Sequence, residues 1–360
     1  MKLKTTILNQ KNIFMEVMME YNSGEKTKYV AKNKDELMAM EEKPKTKAQR
    51  ILDRVIMFLP ILMALLHLAE YYYMPNYGAN TNTHVYGGFI TALGLACLIG
   101  AIVSLFNKKT FYYYRHKAPF YTFVFFLLMG YDMLTLKSGK LMMPYFPWVD
   151  KIMNAAIQDR AYLIDCVKNS LILLFTGYFI GVALGIITGI LCGYSKRVSY
   201  WVMPFIKLLG PIPSTTWLPL VMVLMSSLFK GAVFIIALGV WFSVTIATIT
   251  GITNVNREYF LAARTLGAKG NQLITKIAIP SALPSILQGM TQGMSSACTA
   301  LLVAEMLGVE SGLGWYITWQ KSWAEFPKMY AAIVIICITF IIVNWILTKI
   351  KKGVLKWQED

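Results

Sequence analysis

The chain alternates long apolar runs with short polar segments that carry most of its charge. Each run is close to the roughly twenty apolar residues that an α-helix needs to cross the hydrocarbon core of a bilayer. The eight runs are Val55–Tyr73, Val85–Phe106, Pro119–Leu136, Asn169–Tyr194, Val202–Ser227, Ala232–Thr250, Pro284–Leu307 and Ala331–Leu347. This pattern predicts an all-α polytopic membrane protein with about eight transmembrane helices.

The composition supports a membrane protein. Of 360 residues, 56% are hydrophobic and only 15% are charged, and the mean hydropathy is +0.50. A soluble globule needs more polar surface than this, so we expect the lipid bilayer to cover part of the chain. Residues 1–50 are polar, show no cleavable signal peptide, and are predicted to form a cytoplasmic tail.

The net charge of +16 follows the predicted topology. Lys and Arg concentrate in every second loop, including the segments before the first run and after the last. By the positive-inside rule, both termini and the segment 254–281 are predicted to be cytoplasmic, although the outside loop Lys137–Arg160 carries both signs. A nucleic-acid partner is not indicated, because the basic residues are not interleaved with aromatics on one soluble face.

No catalytic or metal-binding motif is apparent. A G-x-x-x-x-G-K-[ST] phosphate loop is missing, so we predict that the chain is not an enzyme and that any ATP hydrolysis occurs on a partner. The five cysteines are odd in number and widely spaced. His67, His84 and His116 share no ligand spacing with each other or with cysteine. We therefore expect neither a disulfide framework nor a bound metal nor a cofactor.

The fourth run contains a glycine at every fourth position. A four-residue repeat drifts slowly around one face of a helix and lets a neighbouring backbone come close. We predict a helix-packing interface at Gly177, Gly181, Gly185, Gly189 and Gly193.

The fifth run contains Pro204, Pro211, Pro213 and Pro219, and interior prolines remove helix hydrogen bonds. A broken helix is predicted. Non-helical backbone is tolerated in a bilayer only where protein or a water-filled cavity covers it. Gly210–Trp217 is therefore a candidate for the translocation pathway, with a kinked packing helix as the equal alternative. The candidate residues are Pro211, Pro213, Ser214, Thr215 and Trp217.

Glu305 is the most prominent ionisable residue within an apolar run. A carboxylate near the hydrocarbon centre is costly, so it should face a cavity or a cation, or else snorkel to water. It is also a candidate for the pathway. Asp132 and Asn344 are weaker cases of the same kind.

The segment EYFLAARTLGAKGNQLITKIAIP, Glu258–Pro280, is polar and lies between two apolar runs. Ala262 and Ala263 allow a partner surface to approach the helix closely, and Gly267 allows a left-handed turn. The segment is typical of a docking loop, and the alternative is a simple helix-turn-helix linker between membrane spans.

This segment resembles the EAA loop of bacterial ABC-importer permeases. The stretches NSLILLFTGYFIGVALGIITGILCGYSKR, MPFIKLLGPIPSTTWLPLVMV and VAEMLGVESGLGWYI resemble the nitrate, sulfonate and taurine type. The resemblance implies that the last six helices, within 119–350, form a permease core that works as two copies. A homodimer is expected, together with a separate ABC ATPase subunit that binds ATP-Mg and an extracytoplasmic solute-binding protein. It also implies a bacterial plasma-membrane location.

The resemblance assigns ATPase docking to a short coupling helix in this loop. The residues are Glu258, Ala262, Ala263, Arg264, Gly267, Ile277 and Pro280. Leu261 stands where the family usually has a glutamate directly before the paired alanines, and Glu258 lies three residues earlier. The two runs within 51–106 lie outside the resemblance and are predicted to be an additional transmembrane hairpin, and 351–360 is predicted to be a cytoplasmic tail.

Two other functions remain open from the sequence. One is an ATP-independent secondary transporter or channel, and the other is a membrane sensor or scaffold that retains the docking loop without transport. The resemblance implies a small, anionic solute such as nitrate, a sulfonate, taurine or bicarbonate. No residue of the sequence chooses among these solutes.

Overall fold

The computed structural model describes residues 47–356, and all regular structure in that range is helical. Most of the predicted tail at 1–50 and the last four residues lie outside this range. The helices are α1 (Lys47–Tyr73), α2 (His84–Phe106), α3 (Lys108–Asp132), α4 (Val149–Gln158), α5 (Arg160–Tyr194), α6 (Lys196–Leu209), α7 (Leu218–Leu224), α8 (Leu228–Thr253), α9 (Arg257–Thr265), α10 (Gly270–Leu273), α11 (Ile279–Leu307), α12 (Leu313–Ser322) and α13 (Phe326–Val354).

Seven helices of the described range are long and apolar enough to cross a membrane. An eighth candidate span is broken: Lys196–Leu209 and Ser214–Leu224 meet at an angle of 84°. The break contains Pro211 and Pro213, which cannot donate a backbone hydrogen bond, and a short 3-10 turn at Ser214–Trp217 follows it. The predicted number of spans and the predicted break are both confirmed.

The chain divides into a unit that ends at Phe58 and a unit that begins at Leu59. In the described range, the first unit consists of the opening turns of α1. The second unit has two main apolar clusters. One joins α1, α2 and α3 around Tyr71, Tyr86 and Phe125, and the other joins α5, α8 and α11.

The region Lys137–Arg160, predicted as a loop, contains the ten-residue helix α4. Val149 and Met153 pack into the α1–α3 cluster, whereas Ala156 packs near α12 and α13. A helix this short and amphipathic produces no transmembrane run, which explains why the hydropathy pattern did not reveal it. It packs against both α2 and α13 and so joins the hairpin to the rest of the second unit.

All five glycines of the α5 repeat face α8. A Cβ built at Gly181 would lie 2.6 Å from the carbonyl oxygen of Ala237, and one at Gly177 would lie 2.7 Å from the Cβ of Ile236. A Cβ at Gly185 would lie 2.7 Å from the Cβ of Val244, and one at Gly189 would lie 2.4 Å from the Cβ of Thr248. Only glycine leaves room for these two backbones to come this close.

Glu305 fixes the start of α12. Its Oε2 accepts the amide hydrogen bond of Gly314 at 2.7 Å, and its Oε1 accepts the hydroxyl of Ser170 at 2.6 Å. That hydroxyl in turn accepts the amide of Leu313 at 2.9 Å. A carboxylate beside the first amides of a helix satisfies donors that have no partner within the helix. Glu305 is 1% exposed, so the alternative that it snorkels to water is wrong.

Trp315, Trp319 and Trp323 follow Glu305 in the chain and lie on and just after α12. Trp315 and Trp319 stack with their ring centroids 5.3 Å apart. Gly312 and Gly314 at the start of α12 do not predict a helix from the sequence. The helix begins there because Glu305 and Ser170, from other helices, accept its first amide hydrogen bonds.

We expect the double variant Gly177→Leu/Gly181→Leu to separate α5 from α8. Overpacking a well-packed site typically costs about 1–3 kcal/mol, and here the obstacle at Gly181 includes backbone. Purified protein should lose its monodisperse gel-filtration peak or its Tm should fall by several degrees. The control Ala183→Leu adds the same side chain on the exposed face of α5. A double variant with the wild-type peak and Tm would contradict the packing assignment.

We expect Glu305→Ala to destabilise the protein by about 2–4 kcal/mol, because it leaves the buried amide of Gly314 without an acceptor. Glu305→Gln retains one acceptor oxygen and should lose less. Thermal unfolding measures both effects. Glu310→Ala, which changes an exposed carboxylate five residues later, serves as the control. Equal Tm values for Glu305→Ala and Glu310→Ala would show that the carboxylate does not hold α12.

Candidate functional site

Helix α9 and the turn after it have a defined local structure. The Asn256 side chain accepts the amide of Glu258 at 3.0 Å and caps the start of α9. At the other end, Gly267 donates to the carbonyl of Arg264 and Ala268 donates to that of Ala263, both at 3.0 Å. This bond pair is the Schellman cap, which requires a left-handed residue. Gly267 has a φ of +83°, as the predicted left-handed turn requires.

The inner side of α9 is fixed to the membrane helices by apolar contacts. Phe260 packs against the cluster formed by Ile252 of α8 and by Ala282 and Ile286 of α11. Leu273, which follows the turn, is buried. The segment is therefore attached to the end of α8 and to the start of α11, and it cannot move without displacing one of them.

The outer side of α9 has an apolar face with no partner within the described residues. No residue of α9 is buried, and Tyr259, Ala262 and Leu266 are exposed at an i, i+3, i+7 spacing. Leu266 is 88% exposed. We call these three residues the docking face. Leu261 is also exposed, on another side of the helix.

The remaining docking candidates lie in the same continuous segment. Glu258 and Arg264 are exposed on α9, and Ala263 is half-buried. Ile277 lies in the π-helical turn Ile274–Ala278, and Pro280 is exposed at the start of α11. The structure thus brings all seven candidates together at one end of the α8–α11 pair.

A cavity of about 110 Å³ lies beside the break between α6 and α7. Pro213, Ser214 and Trp217 line it, whereas Pro211 and Thr215 do not. Opposite them, Gly239 and Ser243 of α8 and Ser296 of α11 complete the wall. A Cβ built at Gly239 would lie 2.8 Å from the Ser296 hydroxyl and 2.9 Å from that of Ser214, so these three residues meet.

Sequence reasoning missed Gly239, Ser243 and Ser296. They are small residues within apolar helices, and the sequence offered only that mild signal. Glu305 does not line this cavity but lines another of about 320 Å³ beside Trp315 and Trp319. A larger cavity of about 550 Å³, which Glu305 does not line, lies at the start of α8 beside Asn169 and Ser311. In that larger cavity the Asn169 amide donates to the Ser311 hydroxyl at 2.8 Å.

A second polar cluster lies between α1 and α3. His67, Glu70 and Asp132 are buried there with one candidate metal-ligand atom from each within 4.8 Å of the others. The histidines share no ligand spacing with each other or with cysteine, so the sequence pattern did not group His67 with two carboxylates. Asp132 lies on a different helix from His67 and Glu70, so residue spacing within one helix could not predict that it joins them.

Comparison with known proteins gives consistent matches over the second half of the chain. Residues 181–356 match the family described as binding-protein-dependent transport system inner membrane component. A Bacillus subtilis (strain 168) protein named as an aliphatic sulfonates transport permease is 32% identical over 184 residues, which are 51% of this chain and 67% of that protein.

Two further relatives match shorter stretches. A protein of Methanocaldococcus jannaschii named as an ABC transporter permease is 33% identical over 142 residues, which are 38% of this chain and 53% of that protein. The nitrate import permease protein of Synechococcus elongatus is 29% identical over 105 residues, which are 29% of this chain and 38% of that protein. The chain therefore belongs to the family of binding-protein-dependent transport system inner membrane components, and it is an ABC transporter permease.

Proposed function

We propose that this chain is the permease subunit of an ABC importer. It forms the translocation pathway and couples ATP hydrolysis by a separate ATPase subunit to the uptake of a small, anionic solute. The observation that carries this proposal is the docking face on α9, which is exposed and apolar while the rest of the segment is anchored to α8 and α11. ATP-Mg binds to the partner.

The attachment of α9 gives the coupling a physical route. Helix α8 carries Gly239 and Ser243 of the cavity wall, and α11 carries Ser296. A partner that moves α9 acts on the ends of both helices at once. Close packing through glycine transmits such a displacement, because packed helices shift as units rather than deform.

The exposed break between α6 and α7 favours a second copy of the chain in the pathway. Pro211, Ile212 and Pro213 are exposed at the break between α6 and α7. Non-helical backbone does not face lipid, so protein or a water-filled space must cover this segment. We propose a homodimer in which the two breaks face each other across the pathway. The ATPase subunits then dock on the two α9 segments.

The proposed solute class rests on the cavity and on the relatives. The Ser214 and Ser296 hydroxyls can donate to a solute, whereas the Ser243 hydroxyl donates to the carbonyl of Gly239 at 3.3 Å, and no charged side chain of the described residues lines the cavity. Hydroxyls can donate to an oxyanion without the repulsion that a carboxylate would add. The named relatives are a sulfonate permease and a nitrate permease, both for small oxyanions.

Orientation follows from the distribution of charge. We propose that both termini and the α9 segment are cytoplasmic, in the plasma membrane of a bacterium. The 550 Å³ cavity beside Asn169 and Ser311 then opens to the outside, where an extracytoplasmic binding protein delivers the solute. The same orientation makes residues 51–106 a membrane hairpin added before the permease domain at 119–350.

An ATP-independent carrier or channel is the alternative function. Such a protein needs no partner on its cytoplasmic surface and gives no reason for an exposed apolar face on α9. Retention of an ATPase therefore separates the two functions.

We expect Leu266→Asp to abolish ATPase binding without unfolding the chain. Leu266 is almost fully exposed, so its replacement disturbs only a surface contact. The chain is co-expressed with its candidate ATPase and purified by a tag on the chain, and the co-purified ATPase is quantified. Thr275→Asp places the same charge on an exposed residue beyond α9 and is expected to retain the ATPase.

The cap at Gly267 provides a second, independent perturbation. Gly267→Val cannot adopt the φ of +83° and should reduce ATPase retention, whereas Gly267→Asn tolerates that conformation and should retain it. If well-folded wild-type chain retains no ATPase, the docking assignment fails and the gradient-driven carrier becomes the better account.

We expect Gly239→Val to block transport while leaving ATPase binding intact. The added side chain occupies the space between the Ser214 and Ser296 hydroxyls. Uptake of nitrate, taurine and bicarbonate is measured in proteoliposomes that contain the ATPase and the binding protein, and the transported solute should fall at least about tenfold. Gly88→Val, where an added Cβ meets no atom within 4 Å, is the control. Wild-type uptake by Gly239→Val would remove the cavity from the pathway.

A further inference from the structure

Helices α1 and α3 bring together a buried group of three titratable side chains. His67 and Glu70 lie one helical turn apart on α1, and Asp132 ends α3. One ligand atom from each lies within 4.8 Å of the other two, and the residues are 0%, 7% and 0% exposed. Ligands bound to one metal ion at about 2.0–2.2 Å lie about 3–4 Å apart, so a small closing movement would complete such a site.

Five polar atoms of this group have no hydrogen-bond partner among the described residues. The Nδ1 of His67, both oxygens of Glu70 and both oxygens of Asp132 are buried and make no hydrogen bond. Buried polar groups in folded proteins are normally paired, and buried carboxylates are paired or bind cations. Five unpaired atoms, with one from each residue within 4.8 Å of the other two, therefore indicate a missing positively charged ligand.

The nearby cation does not fill this role. Lys137 donates to the carbonyl oxygens of Tyr71 and Met74, both at 2.8 Å, and to the side-chain oxygen of Asn76 at 2.9 Å. An ammonium group has three donors, so none remains for Glu70 or Asp132.

The neighbouring carboxylate of Asp150 is satisfied independently. It accepts from the amide and the hydroxyl of Thr83 and from the amide of Tyr86, at distances of 2.7–3.1 Å. Asp150 is thus fully hydrogen-bonded within the protein, whereas the carboxylates of Glu70 and Asp132 are not.

The environment of His67 suits a metal ligand. Its Nε2 lies 3.3 Å from the hydroxyl of Tyr86, which is fully buried. In the tautomer that donates from Nε2 to Tyr86, the buried Nδ1 keeps its lone pair unpaired and available to a metal ion. A histidine that binds a metal through one nitrogen usually donates its other N–H in this way, which fixes the ring.

We propose that His67, Glu70 and Asp132 bind one divalent transition-metal ion. One imidazole and two carboxylates suit Zn²⁺ or Mn²⁺, whereas Ca²⁺ and Mg²⁺ prefer oxygen ligands alone. The charges of the two carboxylates balance that of a divalent cation. The bound ion ties the end of α1 to the end of α3. The site lies outside residues 181–356, which match the transport family.

The test begins with metal binding to the wild-type chain. The full-length protein is purified in detergent by a tag that contains no histidine, treated with a chelator, and incubated with Zn²⁺ or Mn²⁺ alone. Metal content after gel filtration is measured by mass spectrometry, and the Tm is compared with and without metal. We expect about one tightly bound ion per chain and a higher Tm with metal, because a ligand that binds only the folded state stabilises it.

Conservative variants locate the ion. His67→Gln and Asp132→Asn preserve side-chain size but remove a ligand, and each should weaken binding at least about tenfold. His116→Gln, on an exposed residue near the other end of α3, should bind metal as the wild type does. Unchanged binding by both ligand variants would overturn the assignment.

A spectroscopic measurement on the wild type covers the case in which the ligand variants do not fold. Bound Mn²⁺ loses the sharp six-line electron paramagnetic resonance signal of the free ion, and added Zn²⁺ should restore that signal by displacement. The proposal is overturned if metal-free wild-type protein leaves the free Mn²⁺ signal unchanged and takes up no Zn²⁺. In that case bound protons, and not a metal ion, neutralise the two carboxylates.

Discussion

The close contact between the backbones of α5 and α8 is the interaction on which the rest of the structure depends. Lipid tails are as apolar as leucine, so the hydrophobic effect does little to hold helices together inside a bilayer. Close packing and interhelical hydrogen bonds must do so instead. The five α5 glycines bring α8 near on one side, and Gly289 and Gly293 of α11 approach it from the other. The Ser285 hydroxyl adds a bond of 2.7 Å to the carbonyl of Ala247.

Helix α8 therefore connects the parts of the molecule that the proposed mechanism uses. One of its ends leads into α9 and the docking face, and its middle forms the cavity wall at Gly239 and Ser243. The glycine contacts hold α8 close against both neighbours, so a displacement of α8 carries α5 and α11 with it. The same contacts that stabilise the core thus transmit the movement that the proposed coupling requires.

Glu305 and the pair Glu70 and Asp132 are buried carboxylates whose hydrogen-bonding surroundings indicate different roles. Both oxygens of Glu305 accept hydrogen bonds from α5 and α12, so its charge is used within the fold. Neither Glu70 nor Asp132 has such a partner. All three residues are acidic and buried. Their hydrogen bonds alone distinguish Glu305, which holds the start of α12, from Glu70 and Asp132, which form a candidate metal site.

The sequence predicts those features that depend on local spacing. The apolar runs, the proline break and the left-handed Gly267 arise from neighbouring residues and were predicted. Features that join distant segments were not, because one sequence carries no record of which helices meet. Ser243 and Ser296 meet Ser214 only after α8 and α11 pack, and α12 begins at a cap supplied by Glu305 and by Ser170 of a distant helix. Asp132 reaches His67 in the same way.

The central claim is that a partner's ATP cycle changes access to the cavity beside the broken helix. The most direct measurement is the labelling of Ser214→Cys, in a chain with its native cysteines replaced, by a membrane-impermeant maleimide applied to one side of vesicles that contain the ATPase complex. We predict that labelling from each side changes when ATP and vanadate trap the ATPase. Labelling that is the same with and without ATP, in a complex that retains an active ATPase, would contradict the claim.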